Sequence, residues 1–305
     1  MAIGTSGNTS SSVMESVGPN IIHHVSNSDI SHPILHFPKV LGFDLSVTKH
    51  VLMLWIVSFV VLISIIMPVR RFLKSKKDVP TGWVNLIEIV TKFFRDNIVK
   101  PNVGSKWTMT WTPLILTFFF FILFANTIGM VPIFDLLGLF NTYVLPQKSD
   151  VINSMLHGGV TATGNFNVTG ALATITFFSI IIAGSIAHGF TQHWKNLVPH
   201  GLPWPVYIIL IPIEIMGLFV KPFALTMRLA ANMTGGHIAI LALLSLMAIF
   251  GEMFNSAAAG IGVAFISIPM AVAVSGLEII VILVQAYVFS LLTTVFIGMA
   301  INVHH

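Results

Sequence analysis

Not one cysteine occurs in the chain. That excludes a disulfide framework, a thiolate metal site and a cysteine nucleophile. Charge is scarce too: 9% of the 305 residues are Asp, Glu, Lys or Arg, where a soluble domain carries about 25%. There is no G-x-x-x-x-G-K-[ST] segment, so the chain lacks the loop with which to make or hydrolyse ATP by itself. H-E-x-x-H is missing as well, and neither a cofactor nor a metal is expected. Residues 1–38 contain no Lys or Arg. A signal peptide needs a charged start and an apolar run, and a transit peptide needs arginines. Residues 1–48 are therefore expected to form a polar tail, exported together with the first membrane helix. His23, His24, His32 and His36 within it have no ordered scaffold of ligands around them, so a metal site there is disfavoured, as it is at His304 and His305.

What fills the space is apolar. Hydrophobic residues make up 55% of the chain and the mean hydropathy is +0.90, the composition of a polytopic membrane protein. The net charge of +4 could suggest nucleic acid, but its placement argues otherwise. Nine of the fifteen Lys and Arg lie between Arg70 and Lys106, directly after an apolar run. Such a block marks a cytoplasmic loop, so no nucleic-acid partner is expected.

The reading is an all-α membrane domain over residues 49–305, with spans at about 50–69, 110–134, 168–190, 205–250 and 256–302. Each is long enough for about 30 Å of hydrocarbon. Residues 79–107 alternate Trp83, Leu86, Ile87, Ile89, Val90, Phe93 and Phe94 with Lys92, Arg95 and Asp96, the pattern of a helix lying in the interface. The last two runs are about 46 residues each, or about 69 Å of helix. Each is either two spans or one strongly tilted helix. Around Lys221 and Arg228 only Pro222 could make a turn, and a proline can kink a helix without ending it. Two long tilted helices forming a hairpin are expected. The odd number of spans puts the N-terminus outside and the C-terminus in the cytoplasm.

After residue 205 only five charged residues remain: Glu214, Lys221, Arg228, Glu252 and Glu278. Seven residues rotate a helix by about 700°, roughly 20° short of two turns. Glu214, Lys221 and Arg228, spaced by seven, therefore form one stripe, which Asn232 extends. Glu278 and Gln285 share a face of the last helix by the same spacing. His237, nine residues past Arg228, falls about 180° away from it. Polar stripes on neighbouring membrane helices imply an aqueous path, a polar interface, or both. Lys221 is explained as well by snorkelling as by function. Asn126 and His188 fit helix–helix hydrogen bonding at least as well as ion access.

The stretches "IEIMGLFVKPFALTMRLAANMTGGH" and "GLEIIVILVQAYVFSLLTTVF" closely resemble subunit a of the F-type ATP synthase. "LFANTIGMVP" and "GNFNVT" resemble it more weakly, and residues 1–48 fall outside the likeness. The family's essential arginine stands in R-L-x-x-N-x-x-x-G-H/E, here Arg228, Leu229, Asn232, Gly236 and His237. Its last helix carries Q-A-[YF]-[VI]-F, here Gln285 to Phe289. When the position nine after the arginine is His, the position seven before the glutamine tends to be Glu, and the reverse. His237 and Glu278 match that exchange.

The resemblance implies an ion-conducting stator packed against a ring of c subunits, alongside the b-subunit peripheral stalk and other synthase subunits in the lipid bilayer. Arg228 would separate two half-channels and drive deprotonation of the ring carboxylates. Glu278 and His237 would relay protons in one channel. Glu214, Asn232 and Gln285 would line the path or position the arginine. The ATP chemistry would belong to partner subunits, and a bacterial inner membrane is the expected location, with an organelle-encoded protein as the alternative. A secondary transporter or channel is the rival reading, which would call for inverted repeats that the sequence does not display.

Overall fold

A computed structural model of the chain describes residues 13–25, 46–75, 79–131, 161–197 and 203–302. The described elements are helical. A helix α1 (Val13–Val25) lies within the polar tail and packs against a later helix. The first span, α2, runs Lys49–Lys74 and thus continues past the expected end at 69 into the basic block. Pro68 explains how. Lacking an N–H, it leaves the Ser64 carbonyl without its helical partner, and the residues before it, Leu62–Ile66, widen into a π-helical turn. The orphan carbonyl is met from outside: the indole Nε1–H of Trp83 donates to Ser64 O at 2.6 Å.

Trp83 opens the amphipathic helix α3, residues 83–103, which also contains a π-helical turn, Phe94–Val99, just before Pro101. It buries Ile87, Phe94, Ile98, Val99 and Val103 and leaves Trp83, Leu86, Ile89 and Phe93 exposed. The second span, α4, is Thr108–Met130. It ends four residues earlier than expected because Val131 precedes Pro132, which disfavours the helical region; Val131 is extended at φ −79° and ψ 121°. A short turn, Ala162–Gly164, leads to α5 (Phe166–His188), whose first turn is capped by the Asn165 side chain accepting from Asn167 N–H at 2.8 Å. The short α6 (Phe190–Lys195) folds back on α5. There the ring of His193 fills the notch above Gly184, where a Cβ would come within 2.0 Å of Nδ1. Burial, and then the neighbouring His188, hold His193 below the usual histidine range.

The last two elements are single helices, α7 (Trp204–Met253, 50 residues) and α8 (Ala257–Ile301, 45 residues). Pro212 and Pro222 lie inside α7 and Pro269 inside α8 without ending either. Lengths of about 75 and about 68 Å fit a bilayer only if both lie strongly tilted. They form an antiparallel hairpin, with Asn255 in the left-handed region at φ 45° at its turn. Near that turn the backbones approach closely: a Cβ on Gly260 would lie 2.8 Å from Met247 O. α8 packs against α3, α4, α5 and α7. Phe94, Ile115, Phe118, Ile122, Leu225 and Phe289 form the core. Helix α1 rests on α7.

Candidate functional site

The hairpin sets the level of every polar residue on it. His237 of α7 meets Glu278 of α8, Nδ1 to Oε1 at 2.8 Å. Towards the other end, Lys221 Nζ stands 5.7 Å from the centre of the Phe296 ring. Met247 and Gly260 touch near the turn. Interpolating between these contacts places Arg228 alongside the Tyr287–Phe289 segment, within one turn of Gln285. The polar residues therefore occupy three depths: His237 with Glu278; Arg228 and Asn232 at the level of Gln285; and Lys221, with Glu214 one more heptad away. Glu214 lies about 21 Å along α7 from Arg228, so it is not brought to the arginine.

The surroundings differ as much as the depths. Glu278 is almost fully enclosed, with 4% of its side chain accessible, and His237 keeps 18%. One hydrogen bond joins an imidazole to a carboxyl group in a largely enclosed site. Gly236 makes the room, since a Cβ there would lie 2.9 Å from Glu278 Oε1 and 3.1 Å from its carboxyl carbon. Gly236→Ala should therefore push the carboxylate away from His237 and destabilise the hairpin by about 1–3 kcal/mol, the range for overpacking, which a lowered Tm of the variant measures.

Arg228 is placed differently. It and Asn232 are exposed, on the flank of α7 next to the buried row Leu218, Leu225, Leu229 and Met233. No ion pair to Arg228 exists among the described residues. Gln285 is buried on α8. Exposed apolar residues such as Phe223, Met227 and Leu283 surround this part of the hairpin.

Sequence reasoning missed two polar groups. Thr163, in the turn before α5, donates its hydroxyl to Asn126 Oδ1 on α4, and both residues are fully buried. Gly164 brings that turn onto α7, with the Thr234 hydroxyl 3.8 Å from its Cβ position. Thr234 is three residues before His237, so Asn126 and Thr163 belong to the neighbourhood of the His237–Glu278 contact. The Nδ2 of Asn126 has no partner among the described residues. Lower down, Thr176 of α5 and Thr293 of α8 are hydrogen-bonded at 3.3 Å beside the buried Ser290. A threonine in a Gly-rich turn and isolated threonines inside apolar runs carried no signal of either pairing. His188 lies elsewhere: its Nε2 is 2.8 Å from Ile301 O, tying the ends of α5 and α8. Among the described residues no three His, Asp or Glu could gather around a metal ion; His32, His36, His304 and His305 lie outside them.

Residues 51–298, spanning all five long helices, match the family model of the ATP synthase A chain. The chain belongs to that family. ATP synthase subunit a 2 of Prosthecochloris aestuarii is 37% identical over 293 residues, covering 94% of this chain and 80% of the relative. Its counterpart from Chlorobium luteolum is 38% identical over 296 residues, 94% and 76% covered. ATP synthase subunit a of Anaeromyxobacter dehalogenans is 37% identical over 313 residues, 95% and 72% covered. The likeness therefore reaches further than the sequence motifs suggested, because 94% coverage includes part of residues 1–48. As a member of the ATP synthase A chain family, the protein is a multi-pass membrane subunit of an ATP synthase and does not perform the ATP chemistry by itself.

Proposed function

We propose that this subunit a carries protons between the two sides of the membrane and a ring of c subunits by way of two half-channels that meet at Arg228. The observation that carries the reading is the separation along α7. A largely enclosed acid–base pair, His237 and Glu278, sits about 13.5 Å along the helix from an exposed arginine with no counter-ion among the described residues. The pair receives protons from one aqueous side, with Asn126 and Thr163 lining the approach. Arg228 faces the ring, where a mid-membrane carboxylic acid on each c subunit passes it. Gln285 and Asn232 keep the guanidinium in place. Lys221 and Glu214 lie along the second path, towards the other side.

The N-terminus lies outside and the C-terminus in the cytoplasm of a bacterial inner membrane. The basic block after α2 supports that orientation. The peripheral stalk of b subunits holds the hairpin still while the ring turns.

The absence of cysteine makes a direct test simple. Ala231, exposed on α7 close to Arg228, is replaced by Cys in the assembled complex, with a second cysteine beside the c-subunit carboxylate. Oxidation should give an a–c disulfide in most complexes. A product confined to a cysteine on the b subunit, or no product, would turn the arginine face away from the ring and remove the proposal.

A further inference from the structure

The first membrane helix is nearly bare of protein: 11% of its most apolar stretch is buried within the structure. Trp55, Phe59, Ile63 and Ile66 stand exposed in a row along α2. The row ends on two cations, because Arg70 and Lys74 follow Ile66 at helical spacing, with Arg71 beside them. All three are exposed. Nearly two turns above Arg70, the bond from Trp83 to Ser64 O pins the start of α3 against α2. From there α3 turns Leu86, Ile89 and Phe93 outward.

The carboxylates on α3 are already taken. Glu88 pairs with Lys92 at 2.6 Å and Asp96 with Arg95 at 2.8 Å. Arg70, Arg71 and Lys74 have no ion pair among the described residues. A positive-inside signal requires charge alone. Here the charges close an apolar row about 9 Å along the helix beyond the anchor of a tryptophan, and tryptophans mark the level at which lipid headgroups begin. Arginine also suits phosphate, offering paired donors.

We propose that the elbow between α2 and α3 binds an anionic phospholipid of the surrounding bilayer. Its acyl chains lie along Trp55, Phe59 and Ile66, and its phosphate is held by Arg70, Arg71 and Lys74. Charge complementarity selects this occupant, since a neutral helix would leave three cations unpaired and a zwitterionic lipid would gain little from them.

The test places a fluorophore on Leu73→Cys, an exposed position next to Lys74, in the assembled complex. The complex is reconstituted into phosphatidylcholine vesicles containing brominated phosphatidylglycerol or brominated phosphatidylcholine as the quencher. Each cation near a membrane surface contributes roughly fivefold in affinity for anionic lipid. Brominated phosphatidylglycerol should therefore quench at roughly a hundredfold lower fraction than brominated phosphatidylcholine, and added salt should narrow the gap. R70Q/R71Q/K74Q, all on exposed positions, should abolish the preference while assembly is unchanged. Equal quenching by the two lipids, or a preference that survives the triple substitution, overturns the proposal. Absence of quenching by either lipid also overturns it, because the elbow is then covered by protein. None of these outcomes depends on how protons cross.

Discussion

Inverted membrane vesicles carrying Arg228→Ala in an otherwise assembled complex are expected to lose ATP-driven proton pumping altogether. In the proposed mechanism the passing c-subunit carboxylic acid is buried, and burial without a partner keeps such an acid protonated. A guanidinium within about 4 Å at an effective dielectric of 20 changes that by about 4 kcal/mol. This amounts to about three pKa units, a roughly thousandfold swing towards release of the proton. Without it the ring carries its protons past the stator, and rotation no longer exports them.

The same substitution has a second, opposite expectation. A fixed positive charge between two aqueous half-channels also stops protons from crossing directly. Vesicles stripped of the catalytic sector should therefore keep or increase their passive proton leak when Arg228 becomes alanine. Loss of pumping together with loss of leak would mean a collapsed channel rather than a missing charge. Undiminished pumping would remove Arg228 from the mechanism. Arg228→Lys should restore little, because lysine sheds its proton readily when buried and arginine does not.

Much of this geometry was legible in the sequence for physical reasons. Apolar runs flanked by charge mark spans wherever lipid is the solvent, and all five appear at α2, α4, α5, α7 and α8. The choice of one long helix over two at 205–250 followed from the lack of any turn residue except Pro222, and α7 runs unbroken. The opposed placement expected for Arg228 and His237 rests on helical rotation alone. The depth at which α7 and α8 register was not legible, because sliding an antiparallel hairpin by one turn leaves every face unchanged. It is set by close contacts at Gly260, Gly236 and Lys221. The Asn126–Thr163 bond escaped for a different reason: it joins residues 37 apart through a turn with no periodic pattern. The π-helical turn in α2 depends on Trp83 reaching back 19 residues to Ser64, which no local rule encodes.

Exchanging the relay pair should restore what breaking it removes. His237→Glu alone puts two carboxyl groups at a contact of 2.8 Å, where they must share a proton. Glu278→His alone puts two imidazoles there, and the site then has two bases and no acid. Each single substitution is expected to lower proton pumping by about a hundredfold, the lower range for general acid–base assistance. The double variant, His237→Glu with Glu278→His, keeps one acid and one base in contact and keeps the room beside Gly236. It should recover pumping to within about tenfold of the unaltered protein. Assembly must be measured in parallel, since removing one partner of a buried pair costs about 3–5 kcal/mol and could unfold the hairpin. The sign of the coupling decides the matter. A double variant as inactive as the product of the two singles would make Glu278 a packing carboxylate and His237 its structural partner. Recovery at constant assembly requires the two side chains to work as one proton-handling unit, whichever helix supplies the acid.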